Sequence, residues 1–248
     1  NFLNYKMKIV FLAAGRGKRI FNKIKINKCL IKINQKTLIE KLITNIPTSY
    51  KKKIFIVTGF NKNKIINKTK KFKINYLHNK NYINTEMVET LKIALKKIND
   101  DILFSYTDII YNKSLLNLFL KKKFKFITIP VKTNWKTIWD IRGKKAENDA
   151  ETLIYKKNKL IEIGKKIKDL KSVKAQFMGI LFIPKKLRPK VLNFLSNSKF
   201  KKVQTTKLLN HFLKKNIQVN IIKTKDKWYE FDDYQDLQNF RKNSNKIL

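Results

Sequence analysis

A glycine-rich segment with several basic residues, LAAGRGKR at positions 12–19, is the first part of the chain that could bind phosphate. Gly15 and Gly17 let the backbone approach a ligand closely, and consecutive peptide N–H groups in such a loop can surround phosphate oxygens. The segment lacks the third glycine of a dinucleotide-binding loop and the Gly-Lys-Ser/Thr ending of a P-loop. It is therefore either an ordinary strand-to-helix turn or a phosphate-binding loop of another type. The basic residues in and after it favour phosphate binding; they are Arg16, Lys18, Arg19 and Lys28.

Three acidic residues from two distant parts of the chain could hold a divalent cation. Asp108 follows the apolar run at 102–106, so it would stand at the carboxyl end of a strand. Glu230 and Asp232 alternate, and in a strand they would project from the same face. Together with Asp108 they would form an oxygen-rich site suited to Mg²⁺ on a triphosphate. The alternative for Asp108 is a helix cap, but Asn112 lies closer to the next helix.

The acidic run near the end of the chain, WYEFDDYQDL at 228–237, has a second interpretation. Asp232 or Asp233 could cap the last helix, with Asp236 in its first turn. The two interpretations are compatible, because the metal and the cap can use different carboxylates. With only 17 acidic residues in the chain, a cluster of four stands out.

These residues need a scaffold, and the apolar pattern indicates one. Continuous apolar runs typical of buried parallel strands occur at 8–14, 53–58, 73–77, 102–106 and 126–131. Helical spacing of apolar residues separates some of them, at 37–46 and 86–98. The second half predicts antiparallel strands at 151–155, 160–164 and 177–183, helices at 186–195, 206–213 and 234–240, and a strand at 217–222. This alternation predicts an α/β fold with a mostly parallel sheet flanked by helices and a mixed second half. With no linker between the halves, we predict one domain over residues 1–248.

The formal net charge of +41 is the most unusual property of the composition. Its basic residues run along the whole chain, and only five of the 58 are arginine, the residue preferred for forked base and phosphate contacts. Abundant lysine, asparagine and isoleucine together indicate an A+T-rich coding sequence. We favour this compositional interpretation over a dedicated nucleic-acid-binding surface. In either case the field attracts anionic substrates such as a nucleoside triphosphate.

Several classes of protein are disfavoured by what the chain contains. A single cysteine, Cys29, excludes an internal disulfide, and with only His78 and His211 a zinc site is not expected. This cysteine usage fits the reducing cytoplasm. There is no run of about 18 apolar residues, so no membrane span is predicted. Met7 is a candidate natural start, which would leave residues 1–6 as an upstream extension or part of a longer reading frame.

The glycine loop and the lysine after it resemble those of a known family. LAAGRGKR, followed by KCLIKI at 28–33, is similar to the pattern L-A-A-G-x-G-x-R and then P-K of nucleotidyltransferases that activate sugar phosphates and phosphocholine. Asn27 stands where the proline usually lies, so we expect a looser turn with the lysine retained. The segments TGF at 58–60 and NTEMVETL at 84–91 resemble the family's base-enclosing segments, although Glu86 and Thr90 depart from the commonest residues there.

This resemblance implies a Rossmann-like, GT-A-type fold and assigns residues to the nucleotide. Arg19 and Lys28 would act on the reacting phosphates as the catalytic pair. Mg²⁺ would be the cofactor, held by Asp108, Asp232 and Glu230. The residues implied to bind the nucleotide are Leu12, Ala13, Ala14, Gly15, Gly17, Arg19, Gly59, Thr85 and Thr90.

The second half resembles the cytidylyltransferases that act on phosphocholine, 2-aminoethylphosphonate or phosphoglutamine. The similarity lies in WDIR at 139–142, DAET at 149–152, IEIG at 161–164 and QFMGIL at 176–181. It implies an acceptor site in which Arg142 forks onto a phosphate or phosphonate, and Asp149 and Glu151 face a cationic amine. Trp139, Trp135 or Tyr229 could stack on a quaternary ammonium. The alternatives are a tryptophan in the core and acids in an ordinary strand and turn.

The function implied is transfer of CMP from CTP to a small phosphate or phosphonate acceptor, with release of pyrophosphate. The acceptor oxygen is already anionic, so catalysis needs positioning and charge stabilisation rather than a serine, cysteine or histidine. The expected partners are CTP and the acceptor, without a specific nucleic acid; a homodimer is left open. Two alternatives remain: a sugar-1-phosphate nucleotidyltransferase using UTP or dTTP, and a non-enzymatic basic binder of nucleic acid or anionic surfaces.

Overall fold

The computed structural model of the protein describes residues 7–143, 150–167 and 173–247. Its strands, in chain order, are β1 (Lys8–Ala13), β2 (Lys32–Ile33), β3 (Lys36–Thr37), β4 (Ile54–Thr58), β5 (Asn75–His78), β6 (Ile102–Tyr106), β7 (Ile109–Tyr111), β8 (Ile127–Lys132), β9 (Glu151–Lys156), β10 (Lys159–Lys166), β11 (Gln176–Phe177), β12 (Ile180–Ile183), β13 (Val219–Thr224) and β14 (Trp228–Glu230). Its helices are α1 (Lys18–Ile24), α2 (Leu38–Thr44), α3 (Lys62–Thr69), α4 (Met87–Lys97), α5 (Lys113–Leu120), α6 (Lys136–Arg142), α7 (Arg188–Phe194), α8 (Thr205–Lys214) and α9 (Tyr234–Ile247).

A large central sheet carries most of the strands, in the order β5-β4-β1-β6-β12-β8-β13-β10-β9, with β11 added beside β8. β1 is parallel to both β4 and β6, and β4 is parallel to β5. In the second half β12 runs antiparallel between β6 and β8, and β9 and β10 form an antiparallel pair. The chain leaves β1 toward β4 and β5 and then returns to β6 on the other side, so the strand order reverses beside β1. This confirms the predicted α/β fold with a mostly parallel sheet and a mixed second half.

Both faces of the central strands are buried, which explains their continuous apolar runs. In β1, Ile9 and Phe11 pack into the core layer that includes α2 and α9, while Val10 and Leu12 pack into the layer that includes α4 and α8. The predicted apolar face of α4 is buried in this second layer. None of the helices that the structure describes is both long and apolar enough to cross a membrane.

Two elements differ from the sequence prediction. The strand expected at 177–183 is divided into β11 and β12, because Gly179 takes a positive φ of 72°. A Cβ there would lie 2.9 Å from the ring of Tyr106, so the close approach also requires glycine. The last helix, predicted at 234–240, continues to Ile247.

A small antiparallel pair that the sequence did not predict, β7 with β14, joins two distant parts of the chain. Ile109 lies opposite Glu230 in its register. Just beyond the pair, the peptide N–H of Phe231 donates to the carbonyl oxygen of Asp108 at 2.8 Å. Because of this pairing, Asp108 and Asp232 are held close together although 124 positions separate them in the chain.

Candidate active site

A cleft of about 460 Å³ opens beyond the carboxyl ends of β1, β5 and β6. In open α/β sheets this edge, where the strand order reverses, is the usual place for a ligand. The glycine loop forms one wall, the segment 79–90 a second, and β9, β10 and β11 with Trp139 a third. The predicted residues that line it are Leu12, Ala13, Ala14, Gly15, Gly17, Arg19, Lys28, Thr85, Thr90, Asp108, Trp139, Glu151, Glu230 and Asp232.

Lys28 is the centre of a charged cluster at the base of the glycine loop. Its Nζ lies 3.1 Å from Asp108 Oδ2 and 3.3 Å from Asp232 Oδ1. Arg19 approaches the same Asp232 oxygen at 3.0 Å. The structure therefore brings together the side chains of both predicted catalytic cations and of two of the three predicted metal carboxylates.

The charges of this cluster support one another. Burial alone lowers the pKa of Lys28, but the carboxylates of Asp108 and Asp232 outweigh it and raise the pKa above its usual value. For Asp232, burial raises the pKa, yet Lys28 and Arg19 more than compensate and the net shift is downward. Near neutral pH Lys28 is therefore an ammonium and Asp232 a carboxylate.

Glu230, the third predicted metal ligand, has a different environment. Burial and the nearby charge of Asp232 raise its pKa well above its usual range. Its closest ion-pair partner is Arg142, at 3.6 Å, rather than Lys28. Within residues 7–143, 150–167 and 173–247, no three His, Cys, Asp or Glu side chains are grouped closely enough to hold a metal. The described residues therefore do not form the predicted group of three carboxylates: Asp108 and Asp232 share Lys28, while Glu230 lines the same cleft but pairs with Arg142.

Arg142 was predicted to bind the acceptor's phosphate, and the structure does not support this. Its side chain is 3% exposed and donates two hydrogen bonds to the Asp236 carboxylate, from Nε and Nη2, each 2.9 Å long. A third contact reaches Asp232 Oδ2 at 3.3 Å. The guanidinium is committed to these carboxylates and holds the acidic segment in place. Asp236 in turn accepts from the N–H of Asp233 while its own N–H donates to the Asp233 side chain, as the predicted helix cap requires.

The two glycines of the loop and the glycine after β4 have different functions. Gly17 takes a φ of 64°, and a Cβ there would lie 2.5 Å from Cγ of Lys28, so the lysine side chain crosses the loop where only glycine leaves room. At Gly15, by contrast, a Cβ would meet no atom of the described residues within 4 Å apart from its chain neighbours, so this position faces open space. Gly59, which was predicted to bind the nucleotide, is not among the residues that line the cleft in the described part of the chain. A Cβ there would lie 2.6 Å from the carbonyl oxygen of Ala14, so Gly59 supports the loop from behind.

The expectation that Asn27 loosens the turn before Lys28 is wrong. Asn27 is buried, and its side-chain oxygen accepts from the N–H of Cys29 at 3.1 Å. Its amide nitrogen donates to the carbonyl oxygens of Gly15 and Phe60, both at 3.3 Å. A proline could not make any of these side-chain bonds. The asparagine therefore ties the lysine turn to the glycine loop and to the segment after β4.

Replacing Asn27 with alanine should destabilise the protein by about 1–3 kcal/mol, because it leaves buried backbone groups without partners. It should also weaken triphosphate binding, since the glycine loop loses its tie to the turn. Thermal unfolding and nucleotide titration measure the two effects, with the exposed Asn22 on α1 replaced by alanine as the control. Equal melting temperatures for the two variants would contradict the proposed tie.

Two side chains beside the predicted Thr85 and Thr90 were missed by sequence reasoning. Asn79 and Tyr82 also line the cleft. Asn79 directly follows β5, so the rule that ligands bind at the carboxyl ends of parallel strands would have indicated it. Tyr82 carries no comparable sequence signal, because its position depends on the loop that follows.

Of the residues predicted to bind the acceptor, the structure places some in the cleft and others elsewhere. Trp139 and Glu151 line the cleft, and the indole N–H of Trp139 donates to Gln176 Oε1. Asp149 lies outside the described residues. Trp135 and Tyr229, also considered for stacking, are buried in the core and do not line the cleft that the described residues form. Three further polar residues on this side were missed: Gln176, Gln204 and Thr206.

Comparison with known proteins shows the family in which this arrangement of site residues occurs. The MobA-like NTP transferase domain matches residues 9–207, which include the glycine loop, Lys28, Asp108 and most of the sheet. The chain belongs to this family. As a MobA-like NTP transferase it is a nucleotidyltransferase, which confirms the resemblance in the glycine loop. The alternative of a non-enzymatic binder is not supported.

Relatives of this MobA-like transferase differ in nucleotide and acceptor. The CTP:phosphoglutamine cytidylyltransferase of Campylobacter jejuni is 26% identical over 94% of this chain and 98% of its own. CTP:phosphocholine cytidylyltransferase from Streptococcus pneumoniae has a TM-score of 0.69 at 17% identity, over 95% of this chain and 98% of its own. A UDP-glucose pyrophosphorylase in complex with UDP-glucose has a TM-score of 0.68 at 16% identity, over 97% and 99%. The solved structures therefore share the fold of this transferase.

Proposed function

We propose that this nucleotidyltransferase transfers CMP from CTP to a small acceptor that carries a phosphate or phosphonate, and releases pyrophosphate. The observation that carries the proposal is the convergence of Arg19, Lys28, Asp108 and Asp232 at the base of a glycine loop, in a cleft large enough for a nucleotide. The choice of CTP rests on the similarity to the phosphoglutamine enzyme, which extends over 94% of this chain.

The reaction needs no protein nucleophile. An anionic oxygen of the acceptor forms a bond to the α-phosphorus of the triphosphate, and the bond from that phosphorus to the bridging oxygen of pyrophosphate breaks. Charge builds up on the phosphate oxygens as this happens, and the cations of Lys28 and Arg19 stabilise it. Peptide N–H groups of the loop 12–17 orient the phosphates, which lowers the entropic part of the barrier.

The donors in the cleft fit a magnesium ion carried by the triphosphate. Mg²⁺ favours one or two protein carboxylates with phosphate oxygens and waters completing its shell, and Asp108 with Asp232 supplies such a pair. When bound there, the ion would supply charge neutralisation of the phosphates. Lys28 keeps the two carboxylates from repelling each other before substrate arrives, since its Nζ is within 3.3 Å of both.

The wall formed by Trp139, Glu151, Gln176 and Gln204 would bind the acceptor. It combines an aromatic ring, a carboxylate and two side-chain amides. A carboxylate and an aromatic face suit a cationic amine or ammonium group, and amides suit carbonyl or amide groups. With Arg142 committed elsewhere, the anionic head of the acceptor would face Arg19 and Lys28.

CTP should be preferred over UTP by about tenfold or more in kcat/KM, a difference of the size expected for one hydrogen bond to the base. Pyrophosphate release is measured with CTP, UTP and dTTP against phosphocholine, 2-aminoethylphosphonate, phosphoglutamine and glucose 1-phosphate. Stabilisation against thermal unfolding by each triphosphate with Mg²⁺ provides an independent ranking. Faster release from UTP or dTTP with glucose 1-phosphate would replace the proposal with a sugar-phosphate nucleotidyltransferase.

A further inference from the structure

A hydrogen-bond network centred on Asn79 lies in the cleft wall formed by the segment 79–90. Asn79 is 2% exposed, and its side-chain oxygen accepts from the backbone N–H of Asn81 at 3.0 Å. Because a backbone N–H can only donate, this contact settles which end of the amide is the oxygen. The amide nitrogen therefore faces the hydroxyl oxygens of Thr85, at 3.0 Å, and Thr90, at 3.2 Å.

The two threonines use their own hydroxyl protons differently. Both accept a hydrogen from the Asn79 amide, so neither proton can point back toward it. The hydroxyl of Thr85 donates to the carbonyl oxygen of Asn81 at 2.9 Å. Thr90 has no acceptor for its proton among the residues described, and it lines the cleft while being only 4% exposed. The Thr90 hydroxyl is therefore left as a donor toward whatever binds there.

We infer that Asn79 is a positioning residue for base recognition, which presents the Thr90 hydroxyl as a hydrogen-bond donor to N3 of the pyrimidine. This inference rests on the proposed function and deepens it. N3 of cytosine carries a lone pair and accepts such a bond, whereas N3 of uracil carries a hydrogen and opposes it. Asn79 thereby favours cytosine through the direction in which it holds the Thr90 proton.

An exchange of donor for acceptor at position 79 tests the inference. Asn79→Asp keeps an oxygen for the Asn81 N–H but presents a carboxylate oxygen to Thr90, so the hydroxyl turns its proton inward and offers a lone pair to the base. Thr90→Val removes the hydroxyl at nearly constant volume, and Thr90→Ser retains it. Asn84→Asp makes the same charge change at an exposed residue of the same loop that hydrogen-bonds Asn81 instead of Thr90.

The measured quantity is the ratio of kcat/KM for CTP to that for UTP. We expect it to fall about tenfold in Asn79→Asp and Thr90→Val, and to stay near the wild-type value in Thr90→Ser and Asn84→Asp. If Asn79 and Thr90 only support the fold, both kcat/KM values fall equally and their ratio stays unchanged. That result would overturn the inference but not the proposed function. Should Asn79→Asp not fold, Asn79→Ala replaces it: loss of the amide that directs the Thr90 proton should lower the ratio as well, and an unchanged ratio would overturn the inference. A wild-type protein that turns over no triphosphate would overturn the proposed function and this inference with it.

Discussion

Replacing Lys28 with alanine is expected to lower kcat by about 10²–10³-fold, the usual loss when a preorganised donor to the developing charge is removed. Lys28 is the only lysine among the described residues that line the cleft, and its Nζ lies between Asp108 and Asp232. Without the ammonium, the two carboxylates repel each other and the reacting phosphates lose one of the two cations proposed to stabilise them. Pyrophosphate release at saturating CTP and acceptor measures the effect.

The fold should survive this substitution, because the backbone of the lysine turn is held by Asn27 rather than by the lysine side chain. Circular dichroism and thermal unfolding verify this. Lys23→Ala, which removes an exposed lysine from α1, is the matched control and should keep wild-type turnover. A folded Lys28→Ala protein with near-normal release would exclude Lys28 from the mechanism.

Asp108→Asn should be nearly as damaging, with a loss of kcat of about 10²-fold or more, comparable to removing one preorganised group from the transition state. The substitution conserves shape, and the bond from the Phe231 N–H goes to the backbone oxygen of Asp108, so the β7–β14 connection remains. It removes one of the two carboxylates proposed to hold Mg²⁺. Titration of activity with MgCl₂ should therefore also show a higher half-saturating concentration.

The pH dependence of this variant has a defined sign. The Asp108 carboxylate helps to raise the pKa of Lys28, so neutralising it lets the ammonium lose its proton at lower pH. Residual activity of Asp108→Asn should accordingly decline earlier on the alkaline side than wild-type activity does. Asp140→Asn, at an exposed position on α6, makes the same charge change and should alter neither the rate nor the profile. Full activity of Asp108→Asn at ordinary Mg²⁺ concentration would remove the aspartate from the proposed site.

The residues that the sequence predicted for the site and that the structure brings together in the cleft have signals that are local in the chain. Lys28 and Arg19 belong to a short pattern of glycines and cations directly after an apolar run, and Asp108 directly follows another. Since parallel strands end at a common edge, each such residue could be placed there from its own neighbourhood alone. The same reasoning predicted the principal strands and the amphipathic helix α4.

The wrong assignments concern residues whose partners are distant in the chain. A guanidinium such as that of Arg142 can bind a phosphate, but in the structure it pairs with Asp236. The two residues are 94 positions apart, and no local sequence pattern predicts their pairing. Asn27 was predicted to loosen the turn because the sequence shows only that a proline is replaced. Its hydrogen-bond partners Gly15 and Phe60 are 12 and 33 positions away in the chain. Polar side chains are assigned by the contacts they make, and these depend on how the elements pack.

The sequence by itself therefore determined the class of fold and the position of the glycine loop, because burial periodicity and glycine geometry act over a few residues. It also supplied the cations that we propose to act on the phosphates. Only the tertiary structure decided which carboxylates converge, through the β7–β14 pairing that brings Asp232 to Asp108 and leaves Glu230 to Arg142. Only the tertiary structure decided the Asn79 network as well. The direction of its hydrogen bonds follows from the positions of all donors and acceptors around the amide, and these come from different parts of the fold.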